Sequence, residues 1–414
     1  MLGKISKKNT NLTKKKPLGI VVAIIIGIVI IGMMASSYFT NNTIQVSAEN
    51  FELYKNKSYP AQILENCNDK LHCSVNAMQS IADNENREKV IATFEDLITL
   101  YEKETACHET AHHLGMWIYA YLDDYDESLK IAKQQCGGAV YHGVIQNFIM
   151  IEKFNGAQVE DIDIQSLCPE NSNPYSIERW QCLHGLGHGL AQLYEYDVLK
   201  AVSRCDEFKP GIEQISCSKG IFMQNLVHYF QTETGDYENT THSHTAGDFN
   251  EDRYYPCNSV PEKYSAPCYH YHVTYLGSLN DGNLKETFSE CDDIVSEDMV
   301  KYCYYGFGRQ LSAQSINIDE LQLLCTIGER SEYHKYCLTG MMMTVINVNE
   351  NPDLGFLFCG NISEQYREFC YEGLGRWVKM LHLDQTMQQA ECEKAGDEYA
   401  KVCLDADFDS IKLL

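Results

Sequence analysis

The cysteines of this chain recur at a nearly fixed interval, which constrains the fold more than any other feature of the sequence. The cysteines at positions 291, 325, 359 and 392 follow one another at intervals of 34, 34 and 33 residues. A period of this length is typical of solenoids in which each unit is a helical hairpin. Each of these cysteines has a partner 11 or 12 positions downstream. The same pairing, extended upstream, predicts seven disulfides: Cys168–Cys182, Cys205–Cys217, Cys257–Cys268, Cys291–Cys303, Cys325–Cys337, Cys359–Cys370 and Cys392–Cys403.

The sequence around each pair indicates two helices joined by a tight loop. The second cysteine opens a shared C-x-x-G pattern, as in "CLHGLGHGL" from Cys182, "CYYGFGRQL" from Cys303 and "CYEGLGRWV" from Cys370. Apolar and small residues follow at helical spacing. Segments before the first cysteines, such as "IDELQLLC", have the pattern of short amphipathic helices. We therefore expect each disulfide to tie the end of one helix to the start of the next.

This two-helix unit resembles the tetratricopeptide-type α-solenoid, which implies an all-α fold of stacked hairpins. The resemblance is one of period and architecture only. The W-x2-L-G-x2-Y signature of that family is absent, so it implies no residue roles. Upstream, residues 86–104 have the pattern of an amphipathic helix. The four earlier cysteines permit three pairings, of which we favour Cys67–Cys73 with Cys107–Cys136.

The N-terminal segment has the pattern of a membrane anchor. Residues 1–17 carry six lysines and no acid, and the stretch Leu18–Phe39 is uncharged. At about 1.5 Å per residue, this stretch is long enough to cross a bilayer of roughly 30 Å. A cleaved signal peptide is the alternative, although its apolar core is usually shorter. We favour a single-pass signal-anchor in the cell membrane, with the lysines in the cytoplasm and the cysteine-rich remainder extracytoplasmic.

Composition divides the rest of the chain and excludes one class of partner. The net charge is −25, and because residues 1–39 contribute +6, the remainder carries −31. So acidic a surface repels nucleic acid. The predicted organisation is a cytoplasmic basic tail (1–17), a transmembrane signal-anchor (18–39), a stalk (40–60), N-terminal His-rich helical repeats (61–230), an acidic loop insertion (231–262) and C-terminal helical repeats (263–414).

Five histidines occupy related places in the repeat. We call the residue before the repeated glycine the slot position; the residue four later lies on the same helical face. His184 and His188 fill both places in "LHGLGHG", and His142 fills the first in "YHGVIQ". His108 and His112 fit the same frame, with Glu109 where the glycine usually stands. Equivalent positions of a solenoid line up along one surface. We therefore predict a transition-metal site, with zinc expected first and copper or iron as alternatives.

The stretch "HETAHHLG" also contains H-E-x-x-H, and its continuation resembles the start of the metzincin zinc-peptidase motif. That resemblance implies His108 and His112 as zinc ligands and Glu109 as the general base. The third histidine of the motif is due at position 118, which is Ile118. A third ligand would have to come from elsewhere, with His142, His184 and His188 as the candidates.

The sequence leaves three functions open. We rank metal binding without proteolysis first. An interaction scaffold comes second, in which a concave surface binds a protein or peptide and the histidines are packing or contact residues. A zinc metallopeptidase comes third, because only Glu109 distinguishes it from the first.

Overall fold

The structure, a computed structural model, describes residues 59–67, 71–101, 107–132, 136–154, 156, 159–168, 175–233, 252–312, 317–349 and 351–408. The predicted cytoplasmic tail, the signal-anchor and nearly all of the stalk lie outside these residues. Among the helices that are described, none combines the length and the apolar character needed to span a membrane. The described ranges are helices joined by turns and short 3-10 segments, without a strand, so the all-α prediction is confirmed.

We number the α-helices in chain order. They are α1 (Tyr59–Cys67), α2 (Leu71–Ala82), α3 (Arg87–Tyr101), α4 (Cys107–Leu122), α5 (Tyr125–Ile131), α6 (Ala139–Phe154), α7 (Ile164–Leu167), α8 (Ile177–Leu193), α9 (Val198–Arg204), α10 (Ile212–Glu233), α11 (Glu262–Leu279), α12 (Leu284–Asp292), α13 (Glu297–Leu311), α14 (Ile318–Cys325), α15 (His334–Asn349), α16 (Pro352–Asn361), α17 (Glu364–Leu381), α18 (Gln385–Cys392) and α19 (Gly396–Asp405).

Helices α4, α6, α8, α10, α11, α13, α15, α17 and α19 stack in chain order, each against the next. From α6 to α19, shorter helices such as α9, α12, α14 and α18 precede the stacked ones and complete the hairpins. The predicted arrangement of repeated two-helix units is therefore confirmed. Stacking supplies the buried apolar surface that one hairpin lacks.

All 18 cysteines pair. The seven disulfides predicted from the spacing form, and so do Cys67–Cys73 and Cys107–Cys136. In the unit from α14 to α15, Cys325 is the last residue of one helix and Cys337 lies in the first turn of the next. A bridge closing a loop of this size contributes on the order of 3 kcal/mol in the chain-entropy model.

The first helix of most units begins at an asparagine or aspartate. Asn283, Asn317 and Asp384 each accept a hydrogen bond from a backbone N–H two or three residues further on. An N-cap of this kind stabilises a helix by about 1 kcal/mol. The other units use Asp124, Asp163, Asp197 and Asn351 in the same way. The caps therefore fix where each hairpin starts, and the disulfides fix how it closes.

The repeated glycines bring the stacked helices into backbone contact. A Cβ built on Gly220, Gly306 or Gly340 would lie 2.0 Å from a carbonyl oxygen of the preceding stacked helix. That carbonyl belongs in each case to the slot residue: His184 for Gly220, His270 for Gly306 and Tyr305 for Gly340. Any side chain at these glycines would push the helices apart. The glycines therefore hold successive slot side chains beside one another.

Candidate metal centre

The structure brings all five predicted histidines together at the interface of α4, α6 and α8. The ring centroids of His112 and His142 are 5.1 Å apart, and those of His142 and His184 are 5.0 Å apart. His188 lies 5.0 Å from His112, and His108 lies 5.5 Å from His142. Each ring therefore touches at least two others, and we call these five side chains the histidine cluster.

The glycine contacts correct the alignment of the first unit. A Cβ on Gly143 would lie 2.0 Å from the carbonyl oxygen of His112. The later glycines approach the slot residue of the preceding stacked helix in the same way. His112 therefore holds the slot in α4, and His113, not Glu109, stands where the glycine follows elsewhere. His108 lies one turn earlier on the same face and still reaches the cluster. The slot that the sequence assigned in α4, His108, was therefore wrong by one helical turn, although His108 and His112 lie on the same helical face.

The cluster contains two groups whose ligand atoms are close enough to hold one ion. His108, His112 and His142 form one group, and His142, His184 and His188 form the other. Within each group, one ring nitrogen per histidine lies within 4.8 Å of the others. We call them the outer group and the inner group. They share His142, so they overlap.

Hydrogen bonds fix which nitrogen of three rings faces the cluster. The Nδ1 of His108 lies 2.7 Å from the Cys136 carbonyl oxygen, and the Nε2 of His142 lies 2.9 Å from Gln181 Oε1. The Nδ1 of His188 lies 2.9 Å from Gln224 Oε1. These oxygens only accept, so those three ring nitrogens donate and carry the hydrogen.

The other nitrogens of these rings keep their lone pairs. His108 Nε2, His142 Nδ1 and His188 Nε2 are buried without a hydrogen-bond partner, as is His184 Nδ1. Metal-binding histidines show this same division, since one nitrogen binds the ion and the other donates to a neighbouring oxygen.

Electrostatics keep the rings neutral at physiological pH. Burial, followed by the charges of neighbouring histidines, holds the pKa of His112, His142 and His184 well below 6.5. Burial also lowers the pKa of His188 to about 4, although the hydrogen bond that the ring donates to Gln224 acts in the opposite direction. Neutral imidazole is the form that binds a metal ion. The cluster therefore presents available lone pairs without having to lose protons first.

The two groups differ in their access to solvent. His142, His184 and His188 are 1%, 3% and 2% exposed, whereas His108 and His112 are only partly buried. The sequence predicted that the five histidines line up along one surface, but it did not predict that the inner group is enclosed. The close glycine contacts draw the helices together and enclose those rings. An ion would enter from the α4 side.

Glu109 lies outside both groups. Its side chain is partly buried, and burial raises the pKa of its carboxyl to about 7. It makes no hydrogen bond or ion pair with the residues that the structure describes. The third histidine grouped with the two histidines of the H-E-x-x-H motif is His142. It is one of the three candidates that the sequence offered.

The other histidines that the structure describes lie outside both groups. His272 bonds the Arg253 carbonyl oxygen through Nε2 at 2.6 Å, and His270 contacts Arg309. His113 is partly exposed next to the outer group, and belongs to neither group. His242 and His244, in the predicted acidic loop, lie outside the described residues.

The roles of Gln181 and Gln224 were missed, because nothing in the sequence brings a glutamine of one unit to a histidine of another.

Comparison with family models, with curated proteins and with solved structures found no match to this chain.

Proposed function

We propose that this chain is a membrane-anchored, extracytoplasmic repeat protein that binds one transition-metal ion. Zinc is the metal that we expect first. Its ligands come from the histidine cluster, which consists of His108, His112, His142, His184 and His188. The observation that carries this is the set of buried ring nitrogens without partners. A buried polar atom left unsatisfied costs about 1 to 3 kcal/mol. Packed histidines of an interaction scaffold would give no reason for four such atoms to be buried in one cluster, whereas a bound cation would satisfy those of the group that holds it.

The shared histidine limits the number of ions. His142 gives its Nε2 to Gln181, so only its Nδ1 is free to bind a metal. The outer and inner groups both include His142. We therefore expect one ion per chain, held either by the outer group or by the inner group. The partly exposed outer group would receive the ion, and the enclosed inner group would retain it.

Zinc is our first choice because of the donor set. Both groups consist of imidazoles alone, and every cysteine is in a disulfide, so no thiolate is on offer. Imidazole suits zinc, copper, iron and nickel, and three histidines with a fourth open position are a known zinc arrangement. Copper and iron remain the alternatives in the same donor set.

Metal analysis of the purified full-length chain tests the proposal. After loading with Zn²⁺, Cu²⁺ or Fe²⁺ and removal of excess, we expect one ion per chain, and none in the variant lacking all five histidines. His113→Ala is the matched control, because His113 lies on the same helix outside both groups. The proposal fails if no metal is retained under any loading condition, or if the five-histidine variant retains as much.

One observation favours a second function, hydrolysis at the outer group. His142 supplies a third histidine to the H-E-x-x-H pair, and the pKa of Glu109, about 7, suits a general base at neutral pH. Glu109→Gln should then abolish peptide hydrolysis while metal stays bound. Unchanged hydrolysis in that variant, or none in the loaded wild type over a broad peptide library, would remove this candidate.

The membrane anchor rests on two supports. The uncharged stretch Leu18–Phe39 follows six lysines, and nine disulfides are typical of proteins in oxidising compartments outside the cytoplasm. We expect the full chain to resist alkaline extraction from membranes and a chain lacking residues 1–39 to be released. Equal release of both chains would contradict the anchor.

A further inference from the structure

The indole of Trp180 stacks on one ring of the histidine cluster. It lies almost parallel to the His184 ring, with an interplanar angle of 10° and 5.1 Å between the ring centroids. Both residues belong to α8 and are four positions apart, so they lie on the same helical face. Two parallel rings at this separation are offset from each other, which is an arrangement that aromatic pairs favour.

The indole is not held in place by a hydrogen bond. A buried indole N–H usually finds an acceptor, but Nε1 of Trp180 is buried without one. Among the described residues, His184 provides the only ring in contact with this indole. The backbone is fixed separately, because the Trp180 carbonyl oxygen accepts a hydrogen bond from Ser216 Oγ of α10 at 2.5 Å. The indole is therefore placed for stacking on His184.

His184 differs from the other two rings of the inner group in the way it is supported. His142 donates a hydrogen bond to Gln181. His188 donates one to Gln224. The ring of His184 forms no hydrogen bond with any described residue, and its Nδ1 is buried without a partner. The stack on the indole is thus the contact that can take the place of the missing hydrogen bond.

We propose that Trp180 is a positioning residue of the metal site, whose indole holds the His184 ring in the orientation in which the inner group binds the ion. This inference rests on the proposed metal binding. With Trp180, each ring of the inner group is supported by a residue outside the histidine cluster. The outer group lacks this support at His112, which forms no hydrogen bond with a described residue and stacks only against other histidines of the cluster. Rings that are oriented in advance bind a metal ion more tightly.

Metal binding would also strengthen the stack. A ring nitrogen that shares its lone pair with a cation draws electron density out of the imidazole. An electron-poor ring is attracted more strongly to the electron-rich face of an indole. The stack of Trp180 on His184 therefore stabilises the metal-bound state more than the metal-free state. The usual contribution of an aromatic pair corresponds to about 3- to 10-fold in affinity.

Competition for zinc between the full chain and a chelator of known affinity measures this contribution. Trp180→Leu removes the ring and should weaken zinc binding about 3- to 10-fold. Trp180→Phe keeps a ring that can stack and should lose less. Trp377→Leu on α17 is the matched control, because Trp377 is also buried with an indole N–H that has no partner, and it lies outside the histidine cluster. This control should bind zinc as the wild type does.

A double-mutant cycle separates support of the ring from a general effect on the fold. In a His184→Ala chain only the outer group is complete, so adding Trp180→Leu should change the affinity by less than about twofold. A loss of the same size with and without His184 would show that Trp180 supports the fold instead of the ring. That result, or unchanged zinc affinity in folded Trp180→Leu, would overturn the proposal.

Fluorine NMR keeps the test decisive if Trp180→Leu does not fold. The chain has three tryptophans, so full-length protein made with 5-fluorotryptophan gives one signal from each. Zinc should shift the Trp180 signal, identified by its loss in Trp180→Phe, more than the signals of Trp117 and Trp377. Trp117 is turned toward other helices, where it bonds Gln79 and stacks on Phe94. Retained zinc with an unmoved Trp180 signal would overturn this proposal alone, whereas a chain that retains no zinc would overturn the metal proposal and this one with it.

Discussion

At the scale of single residues, His142 is the centre of the proposed site. It is the one residue common to the outer and inner groups, and only its Nδ1 is free. We expect His142→Ala to lower metal affinity at least about 100-fold, because it removes a ligand from both groups. His108→Ala should cost less, since the inner group stays complete. Competition with a chelator of known affinity measures both variants, and equal losses would show that the groups are not distinct.

Gln181 and Gln224 orient rings of the cluster from neighbouring helices. Each accepts a hydrogen bond from the nitrogen of a histidine that faces away from the centre. Losing such a partner typically costs 10- to 100-fold in metal affinity. We expect Gln181→Ala and Gln224→Ala to fall roughly in that range. Gln214→Ala is the matched control, because this buried glutamine bonds the Phe208 carbonyl oxygen instead. Affinities that match the control would mean that the glutamines play no part.

Glu109 gives a pH-dependent prediction. Burial raises the pKa of its carboxyl from 4.5 to about 7, so the folded state binds the proton more tightly than the unfolded state. The contribution of Glu109 to the free energy of unfolding therefore falls as pH rises from 4.5 to about 7. In metal-free protein, Glu109→Gln should stabilise the folded state by on the order of 2 kcal/mol at pH 8 and hardly at all at pH 4. Urea unfolding at both pH values measures this, and a gain of equal size at pH 4 would contradict the assignment.

At the scale of helices, the glycine contacts decide whether the rings meet. A methyl group on Gly220 would lie 2.0 Å from the His184 carbonyl oxygen, so α8 and α10 would have to separate. We expect Gly220→Ala to destabilise the fold by about 1 to 3 kcal/mol and to weaken metal binding. Gly360→Ala on α16 is the control, because a Cβ built there would contact the Tyr371 hydroxyl at 3.5 Å, an ordinary van der Waals distance. Thermal unfolding with and without metal compares them, and a Gly220→Ala variant as stable as the control would contradict the role of close packing.

Much of this helical level was predictable from sequence. Cysteine spacing predicted the seven later disulfides and the hairpin units, and the N-caps at Asn283, Asn317 and Asp384 repeat with the same period. The register of the first unit was not predictable. His108 and His112 lie one turn apart on one face, and only the contact between Gly143 and His112 identifies which of them holds the slot.

At the scale of the whole molecule, the curvature of the stack decides what the row of slot residues can do. Tyr175, just before α8, stacks on Phe408, beyond α19, with ring centroids 4.3 Å apart. The chain therefore winds back on itself, and after burial the charge of Arg309 in α13 also lowers the pKa of His108 in α4. Side-chain packing between distant units sets this curvature, so the sequence predicted a row of histidines but not an enclosed cluster.

The most direct test is to locate the ion itself. Anomalous diffraction from crystals of the zinc-loaded protein should show one peak per chain, with His142 Nδ1 as a ligand at about 2.0 to 2.1 Å. The other ligands should be histidines of the inner group or of the outer group. A peak away from His142, or two fully occupied peaks within the histidine cluster, would contradict the account.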